Sequence, residues 1–162
     1  MNTKTFYTLF ALLVTASIFF WAYMFYTPAE PDPVSEVSND EIVMTMYHGE
    51  GCMCCGRWAE YLEDYGVTVK EELLQNPHDL KDEYNIPGRL RSCHTAIVDG
   101  YVVEGHVPLE AIQKLLSERP DAIGISVPGM PPNAPGMDQP VDNEYQVVLF
   151  DDENMSVISV HN

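Results

Sequence analysis

The chain has 162 residues, enough for one compact domain with its own core plus appendages, and four cysteines, too few to staple a miniprotein. Its formal net charge of -17, with only eight Lys and Arg, excludes a nucleic-acid binder, whose phosphate contacts need clustered basic residues. The acidity fits a heavily solvated surface or a field that gathers cations, and the cysteines read as a site rather than as scaffolding.

At the N-terminus a single basic residue, Lys4, precedes an uncharged apolar run, Phe6 to Tyr26, of 21 residues. A cleaved signal peptide carries an apolar region of about 7–15 residues, whereas a membrane-spanning helix needs about 20. Residues 1–27 are therefore expected to form a signal-anchor transmembrane helix, with Trp21, Tyr23 and Tyr26 in its interfacial belt. Lys4 keeps the short end in the cytoplasm, which puts the rest on the periplasmic side of the inner membrane. Cleavage at Thr27-Pro28-Ala29 would instead release a soluble periplasmic form. Residues 28–40 are Pro-rich and acidic and read as an extended linker.

Residues 41–162 carry the domain. Glu41–His48 reads as a strand. Gly56–Tyr65 places Trp58, Ala59, Leu62 and Tyr65 at helical spacing, and Gly66 stops it. "VTVKEELL" is a second strand. Asn76-Pro77 opens a short helix to about Asn85. "TAIVDGYVVEGH" is a hairpin turning at Asp99-Gly100, and "PLEAIQKLLSERP" is a helix with Leu109, Ile112, Leu115 and Leu116 on one face. The order βαβαββα is that of a thioredoxin-like fold, an α/β architecture. Beyond Pro120 come an irregular Pro/Gly/Met loop, "VPGMPPNAPGMD", and a β-hairpin over "YQVVLFDDENMSVISV" with its turn at Asp151–Asn154.

The chemistry concentrates in "EGCMCCGRW". Cys52, Cys54 and Cys55 form a C-x-x-C with a third thiol inserted, at the turn between first strand and first helix. A helix start favours thiolate, which is both a nucleophile and a soft-metal ligand. The turn before the third strand falls at the same end of the sheet and carries Cys93 and His94, where disulfide oxidoreductases of this fold resemble one another in having a proline. The fourth strand returns to that edge and brings His106 in "EGHVP". His48 could cap the site, while Met44 and Met46 fit a core. Met130 and Met137 are weaker candidates, as thioether is a soft ligand suited to Cu(I). Vicinal Cys54 and Cys55 can hardly converge on one ion with Cys52 and Cys93 without strain. Thiolates bridging several Cu(I) ions would relieve that crowding.

"GCMCCGRWAEYL", "SCHTAIVDGYVVEGHVP", "LLSERPDAIGISVPGMPPNAPGMD" and "VVLFD" together resemble the CopG-type copper-resistance proteins, a bacterial group long filed as a domain of unknown function. The resemblance spans roughly residues 42–150. It implies a thioredoxin-like fold, a periplasmic setting, copper bound at clustered cysteines, and a part in copper resistance that includes interconverting Cu(I) and Cu(II). Carried over, the implied ligands are Cys52, Cys54, Cys55 and Cys93, with His94 and His106 beside them. The expected partners are copper ions and, at the membrane, a periplasmic copper carrier or a copper exporter. The competing readings are a thioredoxin-like thiol–disulfide oxidoreductase and an adaptor with a structural zinc site.

Overall fold

The computed structural model describes residues 42–137 and 139–162, together with Asn2, Phe20 and Trp21. The chain divides into two compact units, Met1–Val34 and Ser35–Asn162. The anchor expected over residues 1–27 and the linker expected over 28–40 lie outside the described residues except at those three positions. No helix among the described residues is long and apolar enough to cross a membrane.

The second unit is a mixed α/β fold built on one seven-stranded sheet in the order β2-β1-β3-β4-β5-β6-β7. β1 (Val43–His48) alternates Met44, Met46 and His48 into the interior with residues facing outward, the period-two pattern of a strand. α1 (Met53–Asp64) buries Cys55, Trp58, Ala59 and Leu62, three to four residues apart and so on one face. Tyr65 caps its end, and Gly66 follows with a φ of +85° that suits a residue without a Cβ. β2 (Thr68–Leu73) pairs in parallel with β1 and forms one edge of the sheet. Its Lys70, Glu71 and Glu72 put charge along that edge, which discourages edge-to-edge association.

α2 (Pro77–Glu83) starts as its sequence dictates: the Asn76 side chain accepts from the His78 N–H at 3.2 Å, and Pro77 occupies the first helical position. A 3-10 turn, Gly88–Leu90, leads into β3 (His94–Val98), which runs antiparallel to β1. Asp99 and Gly100 both have positive φ, 53° and 88°, the tight turn suited to the twist of the β3–β4 hairpin. After β4 (Tyr101–Glu104), α3 (Leu109–Glu118) buries Leu109, Ala111, Ile112, Leu115 and Leu116.

β5 (Gly124–Ser126) is a strand that sequence reasoning missed, because three residues are too few to display alternation. It pairs in parallel with β4, and a Cβ at Gly124 would collide with the Val102 carbonyl. β5 joins the expected hairpin, β6 (Tyr145–Phe150) and β7 (Met155–His161), to the same sheet. The Asp151 carboxylate closes that hairpin by accepting from the N–H groups of Glu153 and Asn154 at 2.7 and 2.6 Å, and those donors hold its carboxyl below the usual range. The two faces of the sheet carry separate apolar clusters. Val103 belongs to the larger, with Met44, Met46, Trp58, Leu62 and Ile112; its neighbour Val102 belongs to the smaller, with Ile86, Leu90 and Phe150.

Candidate metal centre

One end of the sheet gathers the sulfur. His48, the last residue of β1, is in register with His94, the first of β3, and Glu104, the last of β4, is opposite Thr95. The loops leaving and entering these ends therefore crowd together with the start of α1. Cys52 is the residue that caps α1, and Cys54 and Cys55 lie in its first turn. Cys52 and Cys55 are joined by a disulfide, with their Cα atoms 5.4 Å apart. Cys54 Sγ lies 3.7 Å from Cys52 Sγ and 3.6 Å from Cys93 Sγ, and Cys55 Sγ lies 3.7 Å from Cys93 Sγ. All four sulfur atoms fall within 4.8 Å of one another. For comparison, metal–sulfur bonds of about 2.3 Å around a tetrahedral ion set sulfurs about 3.8 Å apart.

Cys93 is shared with a second group. Its Sγ lies 3.8 Å from His94 Nδ1 and 4.0 Å from His106 Nε2, and these three donor atoms are also mutually within 4.8 Å. Both imidazoles are oriented from behind. His94 Nε2 is 3.0 Å from the Gly105 carbonyl oxygen, and His106 Nδ1 is 2.7 Å from that of Pro135. A carbonyl can only accept, so each of these nitrogens carries the proton. The opposite nitrogen of each ring faces Cys93, the arrangement that fixes tautomer and direction in metal-binding histidines. Burial holds His94 well below the usual imidazole range, and the nearby His106 pushes the same way, so His94 stays neutral. Burial also pushes the Cys93 thiol up to about 12, with the neighbouring Cys54 adding to the shift. A cation must displace that proton to bind the sulfur.

The scaffold under Cys93 is polar and fully buried. Lys81 Nζ donates to Glu104 Oε1 and to Thr95 Oγ1, both at 2.6 Å, and the Thr95 hydroxyl donates to Glu104 Oε2 at 2.6 Å. The Ser92 N–H also donates to Glu104 Oε1, which pins the turn immediately before Cys93. No local sequence signal revealed this network: Lys81, Thr95 and Glu104 come from three different elements. Gly105 follows with φ +79° and no room for a Cβ against Ser92 Oγ and Val127 O, both 3.0 Å away. That turn aims His106 back at the cluster.

The Pro/Gly/Met loop closes over α1. Arg57 Nε donates to the Gly136 carbonyl at 2.8 Å, and a Cβ on Gly136 would sit 2.6 Å from the Trp58 backbone nitrogen. The Trp58 ring lies 4.5 Å from the His94 ring, and its Nε1 donates to the Val107 carbonyl at 2.9 Å. Gly136 has φ +76°, so Gly136→Ala adds backbone strain to a steric clash. It is expected to destabilise the fold by about 1–3 kcal/mol, measured by denaturant unfolding, and to loosen the Pro135 carbonyl that orients His106.

The other candidates fall differently. Met137 is half-buried and packs against the main core cluster, as do Cys52, Cys54 and Cys93. Met130 is 43% exposed, on a residue with φ 48°. Met44 and Met46 are core. His48 does not turn to the sulfurs: its Nε2 meets Glu71 Oε2 at 3.1 Å and its Nδ1 the Gly49 carbonyl at 3.0 Å.

The profile of a family described as "Protein of unknown function, DUF411" matches residues 90–137, the segment that holds Cys93, His94 and His106. Two solved structures, titled copper resistance protein copG form 2 and form 1, are each 35% identical to this chain. The first aligns over 75% of this chain and 98% of that one with a TM-score of 0.71. The second aligns over 74% and 97% with a TM-score of 0.70. A comparison with the curated proteins returned no match.

Proposed function

The chain belongs to the CopG-type copper-resistance family, and on that premise we propose that it binds copper on the periplasmic face of the inner membrane, as a multinuclear Cu(I)–thiolate cluster that can pass between Cu(I) and Cu(II). The observation that carries this reading is the convergence of four sulfurs and two imidazoles, each held from behind by a backbone carbonyl, on one sheet end. Soft thiolates select Cu(I), and imidazole accepts copper readily, so the donor set fits the metal. Cys52, Cys54, Cys55 and Cys93 supply the sulfur, and His94 and His106 complete the set. Met137, packed on the same core, is an auxiliary thioether, and Met130 an outlying one. The chain's part is to fix these donors, keep His94 neutral and release the Cys93 proton when copper enters.

The strand order β2-β1-β3-β4 with its two crossing helices supports a thioredoxin-like core under the site, and β5 to β7 extend it. The apolar run of residues 6–26 supports an uncleaved anchor that keeps the domain near a copper exporter or a periplasmic copper carrier. Copper capacity is the decisive test. Titration of the reduced protein with Cu(I) against a competing chelator is expected to reach more than one copper per chain. Saturation at one equivalent, or a preference for zinc, rejects the cluster.

One observation favours a second reading. The Cys52–Cys55 disulfide at a helix start is the arrangement of a thiol–disulfide oxidoreductase. Against it, exchange needs only an attacking and a resolving thiol, and Cys54 and Cys93 have no part in that chemistry. Efficient reduction of a protein disulfide by the wild type, with copper binding intact in Cys54→Ser, would reverse the preference.

A further inference from the structure

Three oxidisable rings run along α1 away from the centre. Trp58 is 0% exposed, and its ring lies 4.5 Å from the His94 ring. Tyr61 follows one turn later, and residues three apart on a helix have Cβ atoms about 5–6 Å from each other. The Tyr61 ring lies 5.3 Å from that of Tyr65, edge to face. Both inner rings are tied to one loop: Trp58 Nε1 donates to the Val107 carbonyl at 2.9 Å, and the Leu109 N–H donates to the Tyr61 hydroxyl at 3.3 Å. An aromatic stripe at helical spacing ordinarily packs a core. This one leaves it, since Tyr65 is 56% exposed. The stripe thus joins a buried imidazole of the centre to water over about 10 Å of helix.

We infer that Trp58, Tyr61 and Tyr65 form an escape path that draws an oxidising hole out of the centre and delivers it to solvent, a protective activity distinct from holding copper. This rests on the copper reading above. The co-reactant is hydrogen peroxide. One electron from Cu(I) breaks its O–O bond, leaving one hydroxide and one strong one-electron oxidant. That oxidant takes an electron from Trp58 and becomes a second hydroxide. Trp58 is refilled from Tyr61, and Tyr61 from Tyr65. Tyr65 gives its phenolic proton to the second hydroxide. In sum, one Cu(I), one hydrogen peroxide and one phenol give one Cu(II), one hydroxide, one water and one phenoxyl radical. A one-electron reductant in solution, such as a thiol, then restores the phenol with a proton from water.

Left at the centre, the same hole would fall on the thiolates, which oxidise through sulfenic to irreversible sulfinic and sulfonic acids. Exposure sets the end point of the path. Tyr145 also neighbours Tyr61, but it is 8% exposed, and burial pushes its phenol up to about 12. A tyrosyl radical forms by shedding the phenolic proton, which Tyr65 can pass to water and Tyr145 cannot.

The test has a copper-free arm and a copper arm, both in the full-length protein. In the first, Cys93→Ser with Cys52 and Cys55 bonded to each other leaves Cys54 as the free thiol, and a ruthenium polypyridyl photo-oxidant is coupled to it. Flash oxidation is expected to yield a tyrosyl radical, captured as a spin-trap adduct that peptide mapping places on Tyr65. Trp58→Phe, Tyr61→Phe and Tyr65→Phe keep an aromatic ring but not an oxidisable one, and each should lose that adduct. In the second arm the Cu(I)-loaded protein receives hydrogen peroxide. The wild type should form the Tyr65 adduct without sulfinic or sulfonic acid. Tyr61→Phe, loaded with the same amount of Cu(I), should lose the adduct and accumulate those acids at its cysteines. If Cu(I) does not bind, the copper reading falls, and the first arm still decides the path. Adducts on Tyr65 that persist in Tyr61→Phe, or wild-type adducts that map to other tyrosines, overturn the path and leave copper binding standing.

Discussion

Cys93→Ser is expected to lower Cu(I) affinity by well over 100-fold and to remove most of the centre's capacity. Cys93 is the only residue common to the four-sulfur group and to the Cys93–His94–His106 group, so one substitution takes a donor from both. Losing a residue that merely orients a metal ligand costs about 10–100-fold, and losing the shared donor itself should exceed that. Serine keeps nearly the same volume at this half-buried position, so circular dichroism should report an intact fold. Cys54→Ser is the contrast: capacity should fall, yet the His94 and His106 group should still retain copper. Unchanged affinity in Cys93→Ser, measured by chelator competition, would remove Cys93 from the centre. The raised thiol pKa, about 12, adds a pH signature. The Cys93 sulfur is protonated throughout the physiological range when no cation is bound, so its coordination releases a proton. Affinity should weaken as pH falls, by about tenfold per unit for each proton displaced.

Glu104→Gln and Lys81→Met should each destabilise the fold by about 3–5 kcal/mol, the usual consequence of leaving one half of a buried ion pair. The side chains are 0% and 2% exposed, and their 2.6 Å contact is reinforced by Thr95 and the Ser92 N–H. The double variant Lys81→Met/Glu104→Leu should recover much of that loss, since apolar residues of similar volume commonly replace such pairs at little penalty. Denaturant unfolding of the three variants gives the comparison. Single variants that cost less than about 1 kcal/mol would mean that the pair is solvated. In the double variant the turn before Cys93 loses its acceptor, so stability should return further than copper affinity does.

The fold was largely legible because its elements announce themselves locally. Asn76-Pro77, Asp99-Gly100 and Gly66 are backbone signals that need no tertiary context, and α1 and α3 carry their apolar faces at helical spacing. β5 was not legible, because its identity depends on Gly124 admitting the Val102 carbonyl, a contact across the sheet. The juxtaposition of Cys52, Cys54 and Cys55 with Cys93 and His106 could be reasoned from strand direction. The disulfide between Cys52 and Cys55 could not, since thiols so spaced serve either bond or metal. The buried Lys81–Glu104 pair escaped for a different reason. Lys81 sits in "HDLKDE", where surrounding charges make it look solvent-facing, and only the packing of α2 on the sheet turns it inward.

The spacing of the donors along the chain ties metal loading to the act of folding. Cys52, Cys54 and Cys55 are neighbours from the moment they are synthesised, but Cys93 and His106 arrive only when β1, β3 and β4 have paired. On the proposed copper reading, an unfolded chain offers a bare triplet and the folded centre, with its thiols reduced, six donors, so the ion should favour the folded state by the difference. At a free concentration 100 times the dissociation constant, that linkage amounts to about 2.7 kcal/mol, less whatever the triplet retains. Resistance to proteases should therefore rise with ambient copper, and the protein should accumulate when the ion is abundant without any change in its synthesis.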